Sequence, residues 1–199
     1  MIPGRHDSSR IGLLGGSFNP AHEGHREISL VALKRLQLDA VWWLVSPGNP
    51  LKQANDYAPY DERLRTARKV SDHPRIIISN FEERKGLQYT VDTLETLTAL
   101  WPQIAFVWLM GADSMASFHR WRDWREIARL APFAVFNRPG FEASWSSSPA
   151  AGALEAFRLE ADAAPRLAGA EPPAWVFIDE PKNPLSSTAI REKSGAPRG

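Results

Sequence analysis

Cysteine is absent from the 199 residues, which excludes a disulfide framework, a thiolate metal site and a cysteine nucleophile. Neither sign of charge dominates. The 24 basic residues face 23 acidic ones, so the chain lacks the basic excess that marks a nucleic-acid binder. Long apolar runs are missing as well. The longest, over 104–110, is far below the roughly 20 residues that a membrane helix needs, and the first ten residues hold no apolar core for a signal peptide. Several nucleotide and hydrolase signatures are also absent: no G-x-x-x-x-G-K-[ST], no G-x-G-x-x-G after the first strand, no G-x-S-x-G. These absences predict a cytoplasmic protein with neither a membrane nor a nucleic acid as partner.

What is present is an ordinary globular composition, 43% hydrophobic and 24% charged. At this length one domain can bury roughly 70% of the surface its unfolded chain exposes. Tryptophan is the exception. Eight of the 199 residues are tryptophan, and some of them could serve a ligand rather than a core.

Short apolar runs alternate with amphipathic stretches. Runs over 11–15, 41–45, 75–79, 104–110, 133–136 and 175–178 read as strands; stretches over 24–38, 61–70, 90–100 and 121–130 carry helical spacing. Strands apolar on both faces and separated by helices predict an α/β fold, a Rossmann-like parallel sheet with helices on both faces in a single domain over 1–199. Residues 1–9 and 193–199 read as tails. Between 141 and 173 the composition shifts to Ala, Ser, Pro and Glu, which reads as a variable excursion with room for one helix over 153–159.

The densest chemistry is Gly15-Gly-Ser-Phe-Asn-Pro-Ala-His-Glu-Gly-His25. Glycines at the carboxyl end of a strand allow a sharp turn and close approach to a ligand. In open α/β sheets ligands sit beyond those strand ends, and the N-terminus of the helix that follows favours a phosphate. His22 and His25, three residues apart, share one side of the first helical turn. A glycine pair is often only a turn, and a lone histidine is more often structural than catalytic. The combination of strand, glycines and paired histidines argues for a site. Two histidines alone are too few for a metal centre, so no metal-ligating set is expected.

The same residues carry a resemblance. Gly15-Gly-Ser-Phe-Asn-Pro-x-His-x-Gly-His25 resembles the signature of the nucleotidyltransferase superfamily with the His-x-Gly-His motif, in the form found in bacterial nicotinate mononucleotide adenylyltransferases. Leu185-Ser-Ser-Thr-Ala-Ile-Arg191 is similar to the family's second signature, with Leu185 a mild departure. Pro47-Gly-Asn-Pro-Leu-Lys52, Tyr89-Thr-Val-Asp-Thr-Leu94, Gly111-Ala-Asp113 followed by Trp121, and Asn137-Arg-Pro-Gly140 fall in family order between them.

The resemblance implies adenylyl transfer from ATP to nicotinate mononucleotide, giving nicotinate adenine dinucleotide and pyrophosphate in NAD biosynthesis. It assigns His22, His25 and Arg191 to catalysis. It assigns Gly15, Gly16, Ser17, Phe18, Ser186, Ser187 and Thr188, with the same two histidines and Arg191, to ATP. Lys52, Thr90, Thr93, Gly111, Asp113, Trp121 and Arg138 fall to the acceptor, with Trp121 stacking on its ring. Mg2+ is implied as a passenger on the ATP phosphates. An alternative is adenylyl or cytidylyl transfer to another phosphorylated acceptor, such as phosphopantetheine or nicotinamide mononucleotide. Oligomeric state stays open, a homo-oligomer included.

Among the tryptophans, Trp42, Trp43 and Trp108 lie in expected strands and read as core, and so does Trp124. Ser-Ser-Thr near the C-terminus is by itself an ordinary helix cap. The basic run Arg120-Trp-Arg-Asp-Trp-Arg125 could stack single-stranded nucleic acid, but a helix face beside an anionic substrate fits the neutral chain better. Trp145 and Trp175 have no reading at this level.

Overall fold

The computed structural model describes residues 9–48 and 57–181. Its strands are β1 (Arg10–Gly16), β2 (Ala40–Val45), β3 (Ile76–Ser79), β4 (Ala105–Gly111), β5 (Phe133–Phe136), β6 (Arg158–Leu159) and β7 (Trp175–Ile178). All pair in parallel in one sheet of order β3-β2-β1-β4-β5-β7-β6. The helices are α1 (Glu23–Arg35), α2 (Tyr60–Ser71), α3 (Phe81–Lys85), α4 (Thr90–Leu100), α5 (Ala112–Ser117), α6 (Trp124–Leu130), α7 (Glu142–Ser146) and α8 (Pro149–Leu154), with 3-10 turns at Phe118–Arg120, Glu155–Phe157 and Ala161–Gly169. The predicted α/β class and doubly covered parallel sheet are what forms.

Alternation along each strand feeds two cores, one on each face. Ile11, Leu13, Trp42, Leu44, Phe106, Trp108, Met110, Phe133 and Trp175 point to one face, where α4, α5, α6 and α8 bury Leu94, Leu97, Met115, Ile127 and Leu154 against them. Leu14, Val41, Trp43, Val45, Val107, Leu109, Phe136, Val176 and Ile178 point to the other, under α1, α2 and the turn over Ala161–Gly169. Register puts large rings in one row across the first face. Leu13 pairs with both Trp42 and Trp108, Trp108 with Phe133, and Phe133 with Trp175. Seven of the eight tryptophans pack on that face, five buried and two at its margin, and only Trp43 lies on the other.

Three expectations are corrected. The helix read over 121–130 begins only at Trp124, because Asp123 takes a left-handed conformation (φ 49°) as its N-cap and Trp121 is extended (φ −72°, ψ 146°). The stretch over 141–173 holds α7, α8 and the edge strand β6 instead of a helix over 153–159. Ser148 caps α8 by accepting from the Ala151 N–H at 3.2 Å, with Pro149 at its first position. Trp145 of this stretch stacks on Phe177 (centroids 4.2 Å) and meets Trp175 edge-on, so both tryptophans without a reading are core. Finally, the sharp bend after β1 falls on Phe18 (φ 48°), whereas Gly15 and Gly16 are still strand.

The chain runs outward from β1 through β2 to β3, then returns to lay β4 on the other side of β1. The strand order therefore reverses at β1 and β4, and the crevice beyond their carboxyl ends is where such sheets bind ligands.

Candidate active site

β1 delivers Gly16 to this crevice, and α1 starts seven residues later with His22 as N-cap and His25 in its first turn. The imidazoles lie with centroids 3.8 Å apart, tilted by 41°. His25 Nδ1 accepts the backbone N–H of His22 at 3.2 Å. That bond assigns the remaining ring proton of His25 to Nε2 and leaves it a neutral donor. His22 Nδ1 is buried and has no partner among the described residues.

The pair is held from behind by aromatic packing. Phe18 lies 4.7 Å from His25 and stacks on Trp43 at 4.9 Å. Ser29 Oγ accepts from the Trp43 indole N–H (2.7 Å) and donates to the His25 carbonyl (2.8 Å), tying α1 to β2 at full burial. Burial, then the Arg138 guanidinium, lowers His22 to about 4. Burial, His22 and Arg138 together lower His25 to about 3. Both rings are thus neutral near pH 7. They can give hydrogen bonds to phosphate oxygens with no charge of their own to desolvate.

Arg138 follows β5, so its effect on both histidines means that groups beyond β1 and β5 converge across the crevice. It is ion-paired with Asp113 in α5, and Asp113 Oδ1 is buried without a partner among the described residues. Gly111 is the N-cap of α5, and a Cβ there would collide with the Asp113 carboxylate. Gly15 is required by packing: a Cβ would lie 2.5 Å from the Trp108 ring. Among the described residues no three His, Asp or Glu side chains gather as a metal cage.

The structure brings together Gly15, Gly16, Ser17, Phe18, His22, His25, Gly111, Asp113 and Arg138 at the strand ends. Trp121 is half-buried and meets Trp108 and Phe118 edge-on at 6.5 and 5.4 Å. Next to it, Arg122 lies over the Tyr89 ring, 4.6 Å from its centroid. Thr90, the first residue of α4, is half-buried.

Thr93, which the resemblance assigns to the acceptor through a hydroxyl or backbone contact, lies in the first turn of α4. It is fully buried, and its hydroxyl donates to Glu82 Oε1 at 2.9 Å. Lys52, Ser186, Ser187, Thr188 and Arg191 lie outside the described residues. Sequence reasoning missed Arg63 of α2, buried beneath the loop after β1. The signal was its place between Tyr60, Leu64 and Ala67 on the inward face of that helix. Asn137, quoted in a motif but given no role there, donates its amide to Asp179 Oδ1 and so joins the ends of β5 and β7.

The family model described as cytidylyltransferase-like matches residues 13–193. The chain is 51% identical over 184 residues to a probable nicotinate-nucleotide adenylyltransferase of Methylorubrum extorquens strain PA1, covering 92% of this chain and all of that one. It is 48% identical over 186 residues to the probable enzyme of that name from Rhizobium meliloti strain 1021, covering 93% and 99%. Among solved structures, the Plasmodium falciparum nicotinic acid mononucleotide adenylyltransferase complexed with APC shares the fold at a TM-score of 0.67 and 17% identity, covering 92% of this chain and 83% of that one. The chain belongs to the cytidylyltransferase-like family, on its nicotinate-nucleotide adenylyltransferase branch.

Proposed function

We propose that this protein transfers the adenylyl group of ATP to nicotinate mononucleotide, releasing pyrophosphate. The observation that carries the reading is the neutral His22–His25 pair, held at the start of α1 in the crevice where the strand order reverses. The acceptor's phosphate is already largely dianionic at pH 7, its second pKa being about 6. One of its oxygens attacks the α-phosphorus of ATP. A P–O bond forms there, the bond from α-phosphorus to the bridging oxygen breaks, and the electron pair leaves with pyrophosphate. No proton has to be removed from the nucleophile, so no general base is needed, and the task is alignment and charge stabilisation.

In this reading His25 Nε2–H and His22 donate to phosphate oxygens as charge shifts toward pyrophosphate. The N–H groups of Gly16, Ser17 and Phe18 line the nucleotide side. Ser186, Ser187, Thr188 and Arg191, matched by motif, grip the polyphosphate. On the acceptor side Trp121 stacks on the pyridine ring, Thr90 contributes from the first turn of α4, and Gly111 and Asp113 meet a ribose hydroxyl. Arg138 and Lys52 supply positive charge. A divalent cation, read here as Mg2+, would travel with ATP and neutralise its phosphates when bound, with Asp113 at most an indirect partner. The names of the relatives support nicotinate mononucleotide as acceptor.

A panel of acceptors tests the reading: nicotinate mononucleotide, nicotinamide mononucleotide and phosphopantetheine, each with ATP and Mg2+. Nicotinate adenine dinucleotide formed fastest supports it. Faster turnover of phosphopantetheine, or no product from either mononucleotide, contradicts it.

A further inference from the structure

Arg63 lies in α2 and is only 2% exposed, yet every bond given to its guanidinium runs to a main-chain carbonyl. Nε donates to Ala58 O (3.1 Å), Nη1 to Ser17 O and Ser46 O (both 2.7 Å), and Nη2 to Pro47 O (2.9 Å). Among the described residues no carboxylate pairs with it. Its ring neighbours are the neutral Tyr60 and Tyr57, whose centroids lie 5.1 and 5.4 Å from the guanidinium carbon. A buried cation without a carboxylate partner among the described residues is costly. A neutral side chain could fill the space, so the charge calls for an explanation beyond packing.

The three segments that Arg63 joins are the loop after β1, the loop after β2, and the turn into α2. Ser17 stands directly before Phe18, whose left-handed backbone (φ 48°) is unfavourable for a non-glycine residue. Holding the Ser17 carbonyl fixes that bend. The bend in turn sets where Phe18 packs on His25. Electrostatics adds to this. A peptide group whose carbonyl accepts from a cation is polarised, and its N–H becomes the stronger donor. The N–H of the Ser17–Phe18 peptide belongs to Phe18, and that of the Pro47–Gly48 peptide belongs to Gly48.

We propose that Arg63 is a positioning residue for adenylyl transfer, which fixes the loop after β1 and passes its positive charge through the Ser17–Phe18 peptide to the polyphosphate of the nucleotide. The proposal rests on the reading of that loop as the nucleotide side of the site. Arg63 itself touches neither substrate; it acts on ATP through the backbone, not on the acceptor.

The test is Arg63→Lys beside Arg63→Met, with ATP and acceptor constants measured separately, well below each variant's melting temperature. Both variants are expected to lose about 10- to 100-fold in kcat/KM for ATP, the worth of one charge-assisted hydrogen bond, with the KM for nicotinate mononucleotide unchanged. Arg63→Lys should keep more activity than Arg63→Met because it keeps the charge. A lower melting temperature with unchanged kinetic constants overturns the proposal, and so does an equal rise in KM for both substrates.

A second measurement needs no variant. In the wild-type protein the Arg63 Nε–H resonance should shift when non-hydrolysable ATP is added and stay in place when the mononucleotide alone is added; no shift with the ATP analogue overturns the proposal. If the wild-type protein binds the ATP analogue but makes no dinucleotide, the proposed reaction fails while this test of Arg63 still stands.

Discussion

At the scale of single residues, one hydrogen bond and the neighbouring Arg138 charge define what the paired histidines can do. With Nδ1 of His25 occupied by the His22 backbone, only Nε2–H can turn to a ligand. Replacing His25 with Ala should lower kcat by about 100- to 1000-fold, as the loss of a transition-state donor does, with little change in the KM for ATP. An unchanged kcat in steady-state assays contradicts this. The lowered pKa values have a consequence for stability as well. Unfolded, each histidine titrates near 6.5, whereas folded His22 and His25 titrate near 4 and 3. Between those limits the unfolded chain binds more protons, so their contribution is complete above about pH 6.5 and is lost as pH falls toward 4. Denaturant unfolding from pH 7 down to 4 should show this loss, reduced in His22→Asn. Trp121 acts on the acceptor in this account. Trp121→Ala should raise the KM for the mononucleotide and leave that for ATP alone, and the reverse pattern would assign the ring to the other substrate.

At the scale of elements, contacts between neighbours decide what a residue may be. Glu82 of α3 is buried, and its bond from Thr93 holds α3 against α4. Burial raises its carboxyl from 4.5 to about 7. The folded protein therefore keeps a proton that the unfolded chain gives up, and stability falls as pH rises from about 4.5 through 7. Glu82→Gln preserves the acceptor for Thr93 without titrating. It should escape a loss of roughly 3 kcal/mol between pH 5 and 8, measured as the difference between the two unfolding curves. Parallel pH profiles would refute the assignment. Between β1 and β4 the constraint is steric. Gly15→Ala should cost about 2 kcal/mol by pressing Cβ on the Trp108 ring, or a fall of about 4–8 °C in Tm. Adding Trp108→Phe should recover part of that loss, and strictly additive effects would show that the two residues do not clash.

Elements differed in how plainly the sequence announced them. Continuous apolar runs such as Val41-Trp-Trp-Leu-Val45 are short and rich in β-branched and aromatic residues, which favours strands buried on both faces, and α4 shows its period through Val91, Leu94 and Leu97. Short helices such as α5 and α7 give too few turns to establish a period, and β6 has only two residues. Trp121 was read into a helix because Trp124 and Ile127 extend its spacing. The left-handed Asp123 that breaks the helix carries no glycine or proline to mark it.

Across the whole molecule, composition acquires a physical meaning. The tryptophan excess is structural: a row of rings crosses one face of the sheet at the level of Leu13, with helices closing over it. One tryptophan, Trp121, lies at the margin of that core and is proposed to meet a ligand. The near-neutral chain, with 24 basic and 23 acidic residues, carries basic side chains where anions are expected: Arg138 in the crevice and Arg63 beneath it. The position of the histidine pair beyond the first strand was legible because the Gly15–His25 motif follows the first apolar run, and Gly111 and Asp113 were found through the family motif. Arg63 was only half legible: its spacing with Tyr60, Leu64 and Ala67 marks it as facing inward, but the carbonyls from three separate segments that meet at its guanidinium exist only in three dimensions.

The central claim concerns which bond of ATP breaks, and isotopic labels follow that bond directly. With nicotinate mononucleotide and ATP labelled at the α- and γ-phosphorus, the α label should appear in nicotinate adenine dinucleotide and the γ label in pyrophosphate. Label from the γ-phosphorus in the acceptor or in orthophosphate, or no transfer of the α label, would contradict adenylyl transfer at this site.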